Sequence, residues 1–315
     1  MTRIGVDIGG MSIKVGLVND QGKILGKNVV KTASTYLQTI DNLVKQINDL
    51  LNDNGLKISD ISGIGIGSPG LVMSKKGIIR SACNLGWDEV HICEDLSRFF
   101  DTKIRISNDA NVATLAETKY GSVKNVDSAI MLTLGTGVGG GIVADGKLFE
   151  GGDSLGAELG HVVLNQEGID CTCGKRGCVE QYVSASALMR DTKIAMQNDK
   201  NSKMWDYVGG DINKVDGKCA FESSKLGDKS AKLVVDNFCR YLGNTIMSFD
   251  NIFRPELFII GGGVSAQKDY LIDKVLDYLK PFYIDSPFSL RLPKIVTAEL
   301  GNDAGIIGAA ELLNL

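Results

Sequence analysis

The chain has no hydrophobic run approaching the roughly 20 residues that a membrane-spanning helix needs, and Asp7 interrupts the N-terminal stretch before a signal-peptide core could form. It also has no excess of basic residues, since 34 basic and 38 acidic residues give a formal charge of -4. A negative net charge gives no field that would draw the protein onto nucleic acid or anionic lipid. We therefore expect a cytoplasmic protein with no nucleic-acid partner and no membrane partner.

The composition indicates a folded chain, because 43% of its 315 residues are hydrophobic and 23% are charged. This length favours two domains that face one another across a cleft, where small substrates usually bind. Glycine is the outlier, with 38 residues that are gathered in short clusters. Such clusters indicate backbone in tight turns or in contact with a ligand.

The hydrophobic pattern of the first 55 residues predicts three strands and a helix. Alternation predicts strands over residues 3–8, 13–18 and 23–30, and apolar residues at helical spacing predict a helix from Leu37 to the stop at Gly55. The order begins again near Ser128, with predicted strands over 128–134, 141–143 and 147–149. The segments "LVNDQGKIL" and "GIVADGKLF" occupy equivalent places. We interpret this as a weak internal repeat, although hairpins are common and a short match can be coincidence.

The remaining elements follow from the same patterns. The predicted strands are 63–67, 104–107, 257–260 and 294–297, and the predicted helices open at Asn108-Asp109 and cover 186–197, 229–253, 268–279 and 303–313. Residues 68–87 are predicted as a loop, and the polar residues 198–218 as a surface excursion.

Two nucleotide-binding patterns are rejected as chance matches. Residues 135–140 fit G-x-G-x-x-G, but a strand pattern follows where the dinucleotide fingerprint requires a helix. Residues 141–147 fit G-x-x-x-x-G-K, but Leu148 stands where a Ser or Thr must hold magnesium.

Three glycine turns are candidate phosphate sites. Asp7 ends a predicted strand beside Gly9 and Gly10, where bare amides allow phosphate oxygens to approach and the acid can hold hydrated magnesium. Gly135-Thr136-Gly137 provides a second turn, and Gly261-Gly262-Gly263 would let a nucleotide lie against bare backbone. The alternatives are an ordinary hairpin with an acidic corner and a plain strand-to-helix turn.

Asn108 and Asp109 lie where a predicted strand becomes a helix. Either residue can simply cap that helix. Beside phosphate-binding turns, Asp109 is also placed to accept the proton of a sugar hydroxyl that attacks a γ-phosphate.

The strongest local signal is the set of Cys171, Cys173 and Cys178, with His161 ten residues upstream. Three thiolates and one imidazole complete a tetrahedral structural zinc site, with no position left for water. A redox pair or reduced surface thiols are the alternatives. Glu158 and Glu180 flank the cluster and argue against mere surface placement. The other cysteines, Cys83, Cys93, Cys219 and Cys239, are predicted to be buried reduced thiols.

In this order, "DIGG", "GSPG", "NLGW", "NDAN", "LGTGVGGG", "ELGH", "CTCGKRGCVE" and "IIGGG" resemble the ROK family of bacterial sugar kinases and sugar-responsive repressors. The resemblance runs from Ile4 to about Ala310. It implies the α/β ASKHA fold (actin-like ATPase, ribonuclease H-like), a duplicated two-domain fold with a cleft between the lobes. The expected N-terminal lobe covers 1–117 with a C-terminal helix at about 301–315 packed back on it, and the expected C-terminal lobe covers 118–300 and carries the zinc-bearing loop.

The resemblance also implies roles for individual residues. Phosphate contacts fall on Asp7, Gly9, Gly10, Lys14, Gly135, Thr136 and Gly137, with Gly261, Gly262 and Gly263 toward the nucleotide. Sugar contacts fall on Gly70, Asn84, Asn108, Asp109, Glu158, His161 and Glu180, with Asp109 as the base. The zinc ligands are His161, Cys171, Cys173 and Cys178, so His161 would serve both metal and sugar.

The expected activity is phosphorylation of a hexose at O6 by ATP with Mg²⁺, with glucose or an N-acetylated hexosamine as the first choice of substrate. The resemblance also implies a homodimer. Family repressors carry a helix-turn-helix segment before the first phosphate motif, which begins here at Ile4, so a repressor is the weaker expectation. One departure favours a sugar-binding protein with weak or no kinase activity. Met11 stands where the family has Thr, although Ser12 offers a hydroxyl next to it, and Met11→Thr is expected to raise the turnover rate.

Overall fold

The computed structural model describes residues 1–124, 126–284 and 291–315. Two compact units divide the chain. The first contains Met1–Ala129, Gly141–Ala157 and Glu299–Leu315, and the second contains Ile130–Gly140 and Glu158–Ala298. The expected lobe boundary at residues 117–118 stays a prediction.

The first five-stranded sheet has the order β3-β2-β1-β4-β8. Its strands are β1 (Thr2–Ile8), β2 (Ser12–Asn19), β3 (Ile24–Lys31), β4 (Ile61–Ser68) and β8 (Ile104–Asn108). The strands β1, β4 and β8 run parallel, whereas β1 pairs with β2, and β2 with β3, in antiparallel fashion. The predicted strands are therefore confirmed.

The second five-stranded sheet repeats this arrangement, with the order β11-β10-β9-β12-β13. Its strands are β9 (Ala129–Leu134), β10 (Val138–Ala144), β11 (Lys147–Leu148), β12 (Leu257–Gly261) and β13 (Ile295–Thr297). When the five strands of each sheet are numbered along the chain, both sheets have the same spatial order, 3-2-1-4-5. This shared order confirms the internal repeat. The strand β10 follows the glycine turn directly, which confirms the rejection of both nucleotide-binding patterns.

Ten α-helices accompany the sheets in the described residues. They are α1 (Tyr36–Asp53), α2 (Ile92–Ser97), α3 (Asp109–Tyr120), α4 (Glu180–Val183), α5 (Ala185–Asn198), α6 (Met204–Tyr207), α7 (Cys219–Lys225), α8 (Lys229–Phe253), α9 (Asp269–Ile284) and α10 (Ala304–Glu311). In α1, the apolar residues Leu43, Ile47 and Leu50 fall on one buried stripe. No helix within the described ranges is both long and apolar enough to cross a bilayer.

The predicted loop over 68–87 is wrong. It contains β5 (Leu71–Met73) and β6 (Ile78–Ala82), which form a three-stranded sheet with β7 (Trp87–Val90). Gly77 and Gly86 both adopt left-handed conformations at the ends of short 3-10 turns, so very short strands can reverse direction. Strands of three to five residues carry too little alternation to be recognised.

Two predictions of exposure also differ from the structure. The polar stretch 198–218 contains α6 and buries Met204, Val208 and Val215, because apolar residues recur among its charges. Cys83 is exposed and Cys93 is half-buried, whereas Cys219 and Cys239 are buried as predicted.

Candidate active site and metal centre

The predicted site residues Asp7, Asn108 and Asp109 lie at one edge of the first sheet. The strand register pairs Asp7 with Gly67, Gly67 with Ser107, and Ser68 with Asn108. Because β1, β4 and β8 are parallel, their carboxyl ends meet at the same edge, and two strand spacings separate β1 from β8 by roughly 10 Å. Asp7 and the β8-to-α3 junction with Asp109 therefore belong to one sheet edge.

Asp7 is held from two sides within the first unit. The Lys14 ammonium lies opposite on β2 and donates to Asp7 Oδ2 at 2.8 Å, and it also donates to the carbonyl of Asn302 at 3.1 Å. At the start of α10, Gly305 faces the Asp7 carboxylate so closely that a β-carbon would lie 2.5 Å from its Cγ. A side chain at position 305 would displace the predicted phosphate-side acid.

Asp109 is the first residue of α3, and Asn108 caps that helix by accepting from the amides of Ala110 and Asn111. The capping alternative therefore holds for Asn108, while the Asp109 carboxylate remains accessible to solvent. Desolvation by the surrounding protein, with a smaller contribution from the Asp7 carboxylate, raises the pKa of Asp109. A hydrogen bond from the Ala110 amide at 2.8 Å opposes the shift. The Asp109 carboxylate is therefore more basic than that of an ordinary aspartate, and the negative charge of Asp7 contributes to this.

The other predicted sugar residues of the first unit lie nearby. The Asn108 side-chain amide donates to the carbonyl of Gly70 at 3.1 Å. Gly70 has φ +93°, and a β-carbon there would lie 2.2 Å from the Ser81 carbonyl, so only glycine fits. Asn84 sits in the 3-10 turn Cys83–Leu85 and is exposed. The hydrogen bond to Gly70 thus links two of the predicted sugar contacts.

The glycines of the predicted phosphate turns divide into two groups. A β-carbon at Gly10, Gly135 or Gly263 would meet nothing within 4 Å, so the space over these turns is open to a ligand. A β-carbon at Gly262 would instead lie 2.5 Å from the Leu134 backbone, and one at Gly137 would lie 2.3 Å from Glu180 Oε2. The open glycines carry the candidate ligand contacts, and the crowded ones are required by packing.

His161, Cys171, Cys173 and Cys178 come together as predicted. Their ligand atoms all lie within 4.8 Å of one another, with the His161 Nδ1 atom 3.7 Å from Cys171 Sγ. Burial acts to raise the pKa of Cys171, but hydrogen bonds from the backbone and thiol of Cys173 and from the Cys178 thiol outweigh it and lower the pKa to about 7. Three thiol ligands and one imidazole within such distances fit a tetrahedral metal ion.

Backbone hydrogen bonds position the loop around this cluster. The amides of Leu164 and Val179 donate to the carbonyls of Gly177 and Val162 at 2.8 and 2.9 Å, so the segments on either side of the cysteines pair with each other. Because Nδ1 of His161 faces the cysteines, the Nε2 atom is left for another partner. Glu158 immediately precedes the 3-10 turn Leu159–His161.

Glu180 connects this loop to the glycine turn of the second unit. Its Oε2 atom accepts from the Val138 amide at 2.9 Å, and its Oε1 atom lies 4.0 Å from Cys171 Sγ. The Ala185 amide also donates to the Gly135 carbonyl at 2.7 Å. Residues that follow the cysteine cluster therefore hold the turn Gly135–Gly137 in place.

A model of the ROK family matches residues 3–314. The chain belongs to the ROK family. The glucokinase of Thermotoga maritima is 35% identical over 319 residues, which cover 98% of this chain and 96% of the relative. Among solved structures, a ROK family glucokinase from Streptomyces griseus in complex with glucose and AMPPNP is 30% identical, covers 99% of both chains and has a TM-score of 0.79. A ROK hexokinase from Thermus thermophilus is 30% identical, covers 98% of this chain and 97% of its own, and has a TM-score of 0.83. The repeated sheets and these neighbours confirm the expected α/β ASKHA fold.

Sequence reasoning missed Asn302 and Gly305, which approach Lys14 and Asp7 from the far end of the chain. The sequence feature that points to this contact is Gly305, a glycine in the first turn of the apolar helix sequence "AGIIGAA". Glycine is unfavourable inside a helix, so its presence there indicates close approach of another group.

Proposed function

We propose that this ROK protein transfers the γ-phosphoryl group of ATP to the O6 hydroxyl of a hexose, glucose or a related aldohexose or N-acetylhexosamine. The observation that carries the proposal is the placement of Asp7 and Asp109 at one sheet edge, with Asp7 beside the first glycine turn. The similarity to glucokinases supports this choice of substrate.

Asp109 would act as the general base. Its carboxylate would orient the attacking hydroxyl and take the proton late, because phosphoryl transfer passes through a loose transition state with little early need for deprotonation. The raised pKa of Asp109 makes it a stronger base than an ordinary aspartate, and it remains useful as long as it is ionised at the working pH.

The ATP phosphates would lie against the open turns at Gly10 and Gly135, with Lys14 and Thr136 beside them. Asp7 would hold a hydrated Mg²⁺ through its Oδ1 atom, since carboxylate oxygens are preferred magnesium ligands and Lys14 donates to the other oxygen, Oδ2. A magnesium ion held there would supply positive charge that offsets the negative charge of the phosphates during transfer. Gly263 would leave space for the nucleoside.

A structural zinc ion would be held by His161 and the three cysteines, whose donor set fits it. The chain's own contribution is to fix the loop so that Glu158, His161 and Glu180 present polar atoms to the sugar. In the first unit, Gly70, Asn84, Asn108 and Asp109 would contact the sugar.

A panel of hexoses with ATP and Mg²⁺, followed by coupled ADP release, tests the proposal. We expect turnover with glucose or an N-acetylhexosamine, and Asp109→Asn should reduce kcat by about 10²–10⁴-fold while sugar binding persists. Asp101→Asn, at an exposed position of the same unit, is the matched control and should leave kcat unchanged. Full activity in Asp109→Asn would show that another group is the base.

The second candidate is a sugar-binding protein without kinase activity. The observation in its favour is Met11, which is 87% exposed beside the first glycine turn and has no hydroxyl to offer phosphate. Sugar binding without ADP release, in wild type and in Met11→Thr alike, would favour this alternative.

A further inference from the structure

A cavity with a volume of about 510 Å³ lies within the first unit. Ile104 and Ile106 of β8 form part of its wall together with Leu312, and the 3-10 turn Ser74–Lys76 forms another part. Asp7, Asn108 and Asp109 are not among its lining residues. Cavities of roughly 300–1,000 Å³ are typical of small-molecule sites, so this one is large enough for a ligand of its own.

The charges around this cavity are mostly positive. Among the lining side chains, Lys75, Lys76 and Arg105 are cationic and Glu150 is acidic. Lys75 donates to the carbonyl of Gly152 at 3.1 Å, whereas the Lys76 ammonium and the Arg105 guanidinium make no ion pair or side-chain hydrogen bond within the part of the chain that the structure describes. Two uncommitted cations at a cavity wall fit a phosphate group, which arginine can bind through two parallel hydrogen bonds.

Glu150 gives the cavity an acceptor beside its donors. Its Oε2 and Oε1 atoms accept from the hydroxyls of Ser74 and Ser107 at 2.7 and 2.5 Å, which fixes the carboxylate in one orientation. A carboxylate has about four acceptor sites, so capacity remains for hydroxyl groups of a ligand. The cavity therefore combines donors for phosphate with a fixed acceptor for hydroxyls.

We propose that this cavity binds a small phosphate monoester that carries hydroxyl groups, such as a sugar phosphate. Arg105 and Lys76 bind the phosphate, and Glu150 accepts from a hydroxyl. The site is separate from the Asp7 and Asp109 edge, and its occupancy does not depend on whether the protein phosphorylates sugars.

The test is calorimetric titration of the intact protein with glucose 6-phosphate, in the absence of ATP and in the presence of saturating glucose that occupies the sugar site. Glucose binding is measured first and alone, so that failure of the kinase proposal and failure of the cavity proposal give different results. Arg105→Gln and Lys76→Gln are the test variants. Lys45→Gln, which removes an exposed charge on α1 of the same unit, is the matched control.

We expect glucose 6-phosphate to bind the wild type, and each test variant to bind it at least about tenfold more weakly, because each loses a charge-assisted hydrogen bond. Lys45→Gln should bind within twofold of the wild type, and inorganic phosphate should bind more weakly than the sugar phosphate. Lys76 is exposed, so its replacement leaves the fold intact even if Arg105→Gln should disturb β8. Equal affinity in the wild type and both test variants, or no binding at millimolar concentrations, would overturn the proposal.

Discussion

At the scale of single residues, Asp109 illustrates a conflict between stability and function. Desolvation by the surrounding protein, with a smaller contribution from the Asp7 carboxylate, raises the pKa of Asp109, so the ionised form that the proposed mechanism uses is less stable in the folded protein than in the unfolded chain. Ionisation of Asp109 therefore destabilises the folded protein, while the same shift provides the basicity that the proposed mechanism requires.

Asp109→Asn should consequently raise the thermal midpoint at neutral pH. At acid pH, below the unfolded pKa of about 4, both proteins are neutral at this position and should be equally stable. The wild type then loses stability relative to the variant as the pH rises through the raised folded pKa. Thermal unfolding of both proteins as a function of pH measures this, and Asp101→Asn gives the baseline. A variant that is less stable than the wild type at neutral pH would contradict the assigned shift.

Gly135 offers a test of ATP binding that leaves the fold undisturbed. Its φ is not in the left-handed region, and an added β-carbon would meet nothing within 4 Å. Gly135→Ala should therefore leave the thermal midpoint unchanged or slightly higher, since alanine restricts the unfolded chain. If phosphate lies over the turn, the methyl group should raise the KM for ATP by about tenfold or more, a loss of about 1.4 kcal/mol.

Gly217→Ala is the matched control for this experiment, because its nearest neighbour would be the Ala185 β-carbon at an ordinary 3.8 Å. An unchanged KM for ATP in Gly135→Ala would mean that the nucleotide does not approach this turn.

At the scale of elements, the cysteine loop carries the proposed zinc site and also supports the glycine turn Gly135–Gly137. Glu180, two residues after Cys178, accepts from the Val138 amide at 2.9 Å, and the Ala185 amide donates to the Gly135 carbonyl. Loss of the metal should therefore loosen both the predicted sugar contacts and the turn.

Cys178→Ser tests this coupling. Cys178 is fully buried, and its replacement removes one of four ligands, so zinc content should fall from one ion per chain to near zero. Sugar affinity should fall at least about tenfold, in the range found when support of a metal ligand is lost. Elemental analysis and sugar titration measure the two effects.

Cys83→Ser, at an exposed cysteine outside the cluster, should keep its zinc. Full zinc content in Cys178→Ser, or a wild type without metal, would refute the assignment.

The elements also show where sequence patterns suffice. The strands β1, β2, β4 and β8 were predictable because large apolar residues recur along them at alternate positions, as Ile4, Val6 and Ile8 do in β1. The placement of Asp7 and Asp109 at one sheet edge follows from parallel strand ends. The sheet of β5, β6 and β7 could not be predicted, because each of its strands has too few residues to show a hydrophobic period. The contact between Gly305 and Asp7 joins residues far apart in the chain, which no local pattern specifies.

At the scale of the whole molecule, duplication of one sheet order explains why a glycine hairpin occurs in each half of the chain. The chain's last helix nevertheless belongs to the first unit, where α10 lies against β1 and β4. At Gly5 and Gly65 the backbones of the sheet and the helix approach each other with no side chain between them. A β-carbon at Gly5 would lie 2.0 Å from the Ile306 carbonyl oxygen, and one at Gly65 would lie 1.8 Å from that of Ala309.

Gly65→Ala should therefore force α10 away from the sheet. Overpacking of this kind costs about 1–3 kcal/mol and at times more, because close-packed backbone cannot give way as a flexible side chain would. A loss of about 2–3 kcal/mol corresponds to a fall in Tm of about 5–10 °C for a unit of this size. Displacement of α10 should also lower kcat, since Gly305 in its first turn lies against Asp7, and Asn302 in the 3-10 turn just before it accepts from Lys14. Calorimetry and the ADP-release assay measure both effects against Gly152→Ala, whose β-carbon would meet nothing within 4 Å. A Tm for Gly65→Ala within a degree of the control would mean that the helix and the sheet are not in direct backbone contact.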